Sequence, residues 1–256
     1  MRQDPVNGRA WAKLLEPAAI ASWPPREVHT IAGWRLRLTD GFSHRLNSVA
    51  ALRFDGDDPA DAIAKVEAIY RARALQPMFQ VTPAVEPPQL PDLLIRRGYR
   101  GVVPTLVCVA EASAVRARCP AGAQADIREG RHAAFDDLVT AGSHSPADGR
   151  ERLAVLDRLA LPHGCLTAYA DGRAVSCGVG IAAKGYVGIN MMRTAAAARR
   201  RGHARRVLGA IAAWADDATL FLQVEEANAP ARALYEYAGF TPVYSYRHYR
   251  KDEEPA

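Results

Sequence analysis

Apolar and polar positions divide this chain into two stretches that meet near residue 115. In the first, Gly33-Trp34-Arg35-Leu36-Arg37-Leu38 alternates and predicts a strand. The turn Thr39-Asp40-Gly41 leads to a second predicted strand over 45–54. Asp58-Pro59 opens a helix with Ile63, Val66, Ile69 and Tyr70 at helical spacing, because proline is favoured in a first turn. Residues 78–81 predict a short strand, and 91–97 a helix ended by Gly98. Residues 102–109 predict a strand, which Pro104 assigns to a sheet edge. Residues 112–125 show no period, contain Pro120 and Gly122, and read as a linker.

The second stretch opens on a strand, with helices predicted over 133–141 and 151–161. A hairpin follows, with strands 165–170 and 174–182 about Asp171-Gly172-Arg173, since Asp-Gly is a strong hairpin turn. Residues 186–194 predict a strand, and 202–216 a helix with Val207, Leu208, Ile211 and Trp214 on one face. A strand over 220–224, a helix over 230–237 stopped by Gly239, and a strand over 241–249 complete the order. A faint repeat links the stretches. Gly98-Tyr99 begins 17 residues after Val81, and Gly239-Phe240 begins 15 after Val224. Each interval holds a helix and leads into a strand, which favours two related domains, 1–115 and 123–256.

Composition narrows the class. The chain has 256 residues, 49% hydrophobic and 24% charged, which suits one large or two ordinary soluble domains and excludes a largely disordered chain. No apolar run approaches the ~20 residues that span a bilayer. Met1-Arg2-Gln3-Asp4-Pro5 does not open an apolar signal region, so a cytoplasmic protein is expected, with no membrane partner. Cys108, Cys119, Cys165 and Cys177 form no CxxC pair and read as structural thiols, so no metal is expected.

Charge first suggests nucleic acid, for the net charge is +5 and the isoelectric point about 9.2. Its placement changes the picture. Residues 1–120 carry net +4 and 121–256 only +1, yet five arginines of the second half fall between Arg199 and Arg206. That cluster opens a predicted helix directly after a strand. A helix N-terminus presents unpaired N–H groups and the positive end of the helix dipole, and so attracts a compact anion. Gly202 allows close approach of a ligand to the backbone, small Ala204 leaves the next turn uncrowded, and flanking arginines add charge-assisted hydrogen bonds. The alternative is a solvated basic helix face.

Two motifs occur in order. The first is Arg199-x-x-Gly202-x-Ala204; the second runs through Val224, Asn228, Ala231, Leu234, Tyr235, Gly239 and Phe240. Together they resemble the GNAT superfamily, the GCN5-related N-acetyltransferases, over about residues 126–250. The resemblance implies an α/β (α+β) fold, a mixed, mostly antiparallel twisted sheet flanked by helices, with a second, smaller GNAT-like half. It also implies an acyl-CoA-dependent N-acyltransferase that uses acetyl-CoA. Backbone N–H groups of Arg200, Arg201, Gly202, His203 and Ala204 would hold the pyrophosphate, with Arg199 capping the loop. Met192, Arg193 and Thr194 would end a splayed strand whose backbone pairs with the pantetheine arm, and the N–H near Met192 would polarise the thioester carbonyl. Asn228 would bond the pantetheine or brace the loop. Tyr235 would protonate the departing thiolate, unless it is only a core aromatic.

The general base is less legible. Glu225 and Glu226 follow the 220–224 strand, and alternation turns only one of them inward; Glu225 is the candidate. Asn190 sits where some relatives have a carboxylate, and an amide cannot take the proton. His203 reads as a loop residue. The alternating tail Tyr244-Ser245-Tyr246-Arg247-His248-Tyr249 reads as sheet packing or an acceptor wall.

The first domain lacks these motifs. Asp55, Asp57 and Asp58 stand where an anion loop would be, so it is read as degenerate and without cofactor. Its polar segment 41–48 reads as an ordinary turn or as a cover over the acceptor site. The expected function is acetyl transfer to a primary amine of a small molecule by direct attack, with no nucleic-acid partner; a homodimer stays open. The competing reading is a non-catalytic module that senses CoA or binds nucleic acid or protein.

Overall fold

A computed structural model describes residues 5–40, 43–121 and 126–251. The chain's first four residues, Gly41 of the predicted turn, Phe42 of the polar segment 41–48, and 122–125 of the predicted linker lie outside the described residues. In chain order the elements are α1 Pro5–Ala21, β1 Glu27–Ile31, β2 Trp34–Leu38, β3 Val49–Ala50, α2 Pro59–Arg71, β4 Met78–Val81, α3 Leu90–Arg96, β5 Arg100–Glu111 and α4 Ala112–Arg118. There follow β6 Ile127–Glu129, α5 Ala133–Ala141, α6 Pro146–Arg158, β7 His163–Ala170, β8 Arg173–Ala183, β9 Tyr186–Thr194, α7 His203–Trp214, β10 Thr219–Glu225, α8 Ala229–Tyr237 and β11 Thr241–Arg250.

The strands form one sheet in the order β1-β2-β3-β4-β11-β5-β10-β9-β8-β7-β6. Among the described residues neighbours are antiparallel except at β3–β4 and β9–β10. Those two parallel junctions occupy matching places, since α2 connects the first pair and α7 the second. The last strands are exchanged: β11 lies between β4 and β5, while β5 lies between β11 and β10. The two stretches of chain therefore share one sheet.

Local chemistry explains most elements. Asp58 caps α2 through its own carboxylate, which accepts from the Ala60 N–H at 2.8 Å, and Pro59 fills the first turn. Asp171 and Gly172 both take positive φ, 50° and 72°, as a two-residue β7–β8 turn requires. Helix α7 buries Val207, Leu208 and Ile211 against Leu220, Leu222 and Ile189 of the sheet. Each such side chain contributes roughly 1.5–3 kcal/mol on burial.

Four sequence expectations change. Helix α1 and strand β1 were not read from the pattern at all. In α1 a buried stripe of Ala12, Leu15, Ala18 and Ala19 is broken in sequence by Glu16 and Pro17, yet the helix continues through Pro17. The strand expected over 45–54 shrinks to Val49–Ala50, because residues 44–48 turn. The strand holding Pro104 is central, not an edge. Register slips there, between the pairs Tyr246–Thr105 and His248–Val102, so Pro104 sits in a bulge where no ladder donor is needed, and its carbonyl accepts from the Glu226 N–H at 2.9 Å. Finally, much of the expected linker is helix α4. It packs so closely on α7 that a Cβ at Gly209 would lie 1.7 Å from the Cys119 carbonyl oxygen.

Candidate active site

The parallel strands β9 and β10 pair from Tyr186–Thr219 to Ile189–Leu222 and then part, β9 continuing to Thr194 and β10 to Glu225. On its other side β9 carries a bulge, where Met191 and Met192 oppose Gly178 alone and Met191 takes φ 53°. The fork opens a cleft of about 1670 Å3. Met192, Arg193, Thr194, Arg199, Arg200, Gly202, His203, Ala204, Glu225, Asn228 and Tyr235 line it, while Arg201 is exposed and lies outside the lining.

At one end of the cleft stands α7. Gly202 is its N-cap at φ 83°, in the left-handed region, and no side chain caps the helix. Arg200 is also left-handed, at φ 63°. A Cβ on Gly202 would meet nothing within 4 Å among the described residues, so it would project into the open space beside the first turn. His203 adds a buried Nδ1 with no hydrogen-bond partner. Unsatisfied N–H groups beside open space suit a compact anion such as a pyrophosphate. The arginine cluster itself splits. Arg206 pairs with Asp126 at 2.8 Å, and Arg205 lies 3.7 Å above the Tyr237 ring. Arg199 turns back to the Thr194 carbonyl at 3.4 Å. Along β9, the Met192 carbonyl accepts from Arg193 Nη1 at 3.0 Å and the Arg193 carbonyl from Ser176 Oγ at 2.7 Å.

Helix α8 brings Tyr235 to the cleft. Asn228 is the N-cap, its side chain accepting from the Ala231 N–H at 3.2 Å, so in this structure it braces the helix. The Tyr235 ring is half-buried and meets Phe240 edge-on at 5.9 Å. Burial pushes its pKa up to about 12, partly offset by Arg193, so the phenol keeps its proton at neutral pH. Glu225 is exposed at the end of β10 and lines the cleft; Glu226 does not.

The opposite face of the sheet supplies residues of the 41–48 segment and of the alternating tail, Ser43, His44, Arg45, Tyr246 and His248, which line the same cleft. Arg45 reaches across from the segment before β3. Its Nη1 lies 3.4 Å from Asn190 Oδ1 and 3.2 Å from Gln223 Oε1, one residue from each arm of the fork, and its guanidinium sits 4.9 Å over the Trp23 ring. Tyr246 donates to Gln223 Oε1 at 2.9 Å. His248 is buried between His44 and Tyr246, with ring centroids at 5.3 and 5.4 Å, and burial holds its pKa well below the ordinary value. Alternation had marked the tail's aromatic face. The polar segment 41–48 was marked as a turn or cover, but nothing local picked out Arg45 within it, since its partners lie 145 and 178 positions away.

The four thiols are buried, and burial raises all their pKa values, to about 11 for Cys108 and Cys165 and about 12 for Cys177. A protonated, enclosed thiol is a poor nucleophile. Among the described residues no group of three or more His, Cys, Asp or Glu is arranged to hold a metal ion, and no helix is long and apolar enough to cross a membrane.

A forked parallel pair in a mostly antiparallel sheet, an uncapped helix start beside it and a tyrosine across the gap define an acyltransferase of the GNAT superfamily. The fold agrees with the GCN5-related N-acetyltransferase from Kribbella flavida, at TM-score 0.70, 14% identity and coverage of 95% of this chain and 96% of that one. It agrees likewise with a tandem GNAT protein from the clavulanic acid biosynthesis pathway, at TM-score 0.63, 13% identity and coverage of 99% and 97%. The chain belongs to the family described as "Probable histone acetyltransferase Rv0428c C-terminal", whose model matches residues 10–249. It is also 26% identical over 246 residues to the "Uncharacterized N-acetyltransferase YobR" of Bacillus subtilis (strain 168), covering 93% of this chain and 97% of that protein.

Proposed function

We propose that this enzyme moves an acetyl group from acetyl-CoA to a primary amine of a small molecule by direct attack. The observation that carries the reading is the fork beyond Ile189–Leu222, with the open start of α7 at one end of its cleft and Glu225 and Tyr235 on its walls. Acetyl-CoA, when bound, supplies a thioester carbonyl for the amine to attack. The N–H groups of residues 200–204 hold its pyrophosphate, and the bulged edge at Met192–Thr194 orients its arm. Glu225 takes the proton of the attacking amine, and the Tyr235 hydroxyl donates its proton to the departing sulfur. Raised thiol pKa values favour this route over a cysteinyl intermediate.

The related family's description carries the word histone. For this chain a small acceptor is favoured by the wall that Trp23, His44, Arg45 and His248 build at the acceptor end. The first stretch of chain is a GNAT-like half without cofactor, since Asp58 already occupies the start of α2 that corresponds to the uncapped start of α7.

Isothermal titration with acetyl-CoA and free-thiol release with an amine panel test the reading. Micromolar binding and amine-dependent release are expected. Absence of acetyl-CoA binding at high micromolar concentration sinks it. Glu225→Gln should lower kcat with little change in KM for acetyl-CoA, and an unchanged kcat removes Glu225 as the base.

A further inference from the structure

We propose that the acceptor amine carries a carboxylate close to its amino nitrogen, and that Arg45 binds that carboxylate, with Arg193 adding positive charge to the same cleft. The inference rests on the acetyl-transfer reading and names its substrate class. Two half-buried guanidinium groups line the acceptor side of the cleft. Arg45 has only the neutral amide oxygens of Asn190 and Gln223 and the Trp23 face as recorded partners. Arg193 leaves β9 toward α5 and lies so close over Gly142 that a Cβ there would sit 2.5 Å from its Cδ. Its Nε is buried without a partner, and its Nη1 bonds only the neighbouring Met192 carbonyl. Among the described residues neither arginine has a carboxylate within salt-bridge distance. The third arginine on this wall, Arg152, is neutralised by Asp148 at 2.9 Å.

Holding a cation away from water without a counter-charge is unfavourable, and a ligand anion supplies what the protein omits. Burial lowers the pKa of both guanidinium groups and Arg152 adds to it, partly offset by Glu16 and Glu225 at Arg45 and by Asp148 at Arg193. A guanidinium presents a planar fork of donors that matches a carboxylate. Glu225, on the same cleft, carries the opposite sign and suits the amino end of the same molecule. The arrangement is complementary to an amino acid or similar zwitterion. A polybasic peptide or polyamine would bring positive charge against Arg45 and Arg193.

The test uses the full chain and two variants, Arg45→Gln and Arg45→Lys, each checked for folding by circular dichroism and for acetyl-CoA binding by calorimetry. Thiol release is then measured with α- and ω-amino acids, their carboxamides, spermidine and a lysine-rich peptide. At least one amino acid should exceed its carboxamide about tenfold in kcat/KM, a typical effect of one charge-assisted contact. Arg45→Gln should collapse that ratio to about threefold or less, and Arg45→Lys should retain part of it. With acetyl-CoA bound normally, the proposal is overturned if carboxamides, spermidine or the peptide match the acids, if no acid is acetylated, or if Arg45→Gln leaves the ratio unchanged. Failure of the wild type to bind acetyl-CoA is a separate result, which removes the acetyl-transfer reading and this proposal with it.

Discussion

The Tyr244 hydroxyl donates to the Glu16 carboxylate at 2.8 Å, joining the last strand to the first helix across 228 positions of chain. Glu16 also accepts from Gln80 Nε2 at 2.9 Å, and Gln80 in turn accepts from Arg37 at 2.6 Å. This buried chain fastens α1 beneath β11, the strand that the second stretch lends to the first. Burial raises the Glu16 pKa above 4.5 despite these partners.

A stability test follows from the sign of that shift. A carboxyl whose folded pKa lies above its unfolded value binds its proton more tightly when folded. It adds stability below about pH 4.5, and that contribution is lost as pH rises through the folded value. Glu16→Gln has no such titration. The Tm of Glu16→Gln minus that of the wild type should increase as pH is raised from about 4 to about 8. A difference that stays flat across that range would contradict a raised Glu16.

At the start of α7, Gly202→Glu should abolish acetyl-CoA binding without unfolding the chain. The side chain enters open space, so no packing is lost, but it places a carboxylate where the anion belongs. Some strain is added, because φ 83° costs a non-glycine residue about 1 kcal/mol. Calorimetry and a thermal melt separate the two effects. Retained binding would move the phosphate site elsewhere.

The start of α2 should behave in the opposite way. Asp58→Ala removes a cap worth about 1 kcal/mol and should lower Tm while leaving the acetyl-CoA Kd unchanged. A weakened Kd would mean that the first half does contact the cosubstrate.

Tyr235→Phe should lower kcat by about 10²-fold, within the usual range for one proton-transferring group, with KM for acetyl-CoA changed less than about threefold. Because the phenol titrates near 12, its acid form persists through pH 10, and Tyr235 should add no alkaline limb to the kcat profile below that. A limb near pH 9 that vanishes in Tyr235→Phe would place the phenol in a different environment.

Thiol reagents should leave activity intact. All four cysteines are buried with raised pKa values, so N-ethylmaleimide should label none in the folded protein and all after denaturation. Rapid inactivation accompanied by labelling of one cysteine would reopen a covalent route.

Much of the candidate site was legible in the sequence because its signals are local. An alternating run, a left-handed glycine before an amphipathic face, and the spacing from Val224 to Phe240 lie within a few turns of chain, where strand and helix periods act directly. Residues 133–141 and 186–194 form the helix and strand that their patterns predict. Local pattern failed where context outweighed it. Pro17 lies inside a helix, and Pro104 lies in a central strand because a bulge removes the need for its missing N–H.

By itself, the sequence determined the strand-helix order around the cleft, the glycine that starts α7 and the tyrosine of α8, which line the same cleft. Only the tertiary structure decided the rest. The exchange of β5 and β11 is a choice among hydrogen-bond partners far apart in the chain, and any strand of suitable pattern satisfies the same local rule. Arg45 became an acceptor-site residue for the same reason. Its role comes from two amide oxygens at the parting strands and from burial without a counter-charge, and neither relationship leaves a periodic trace in the sequence.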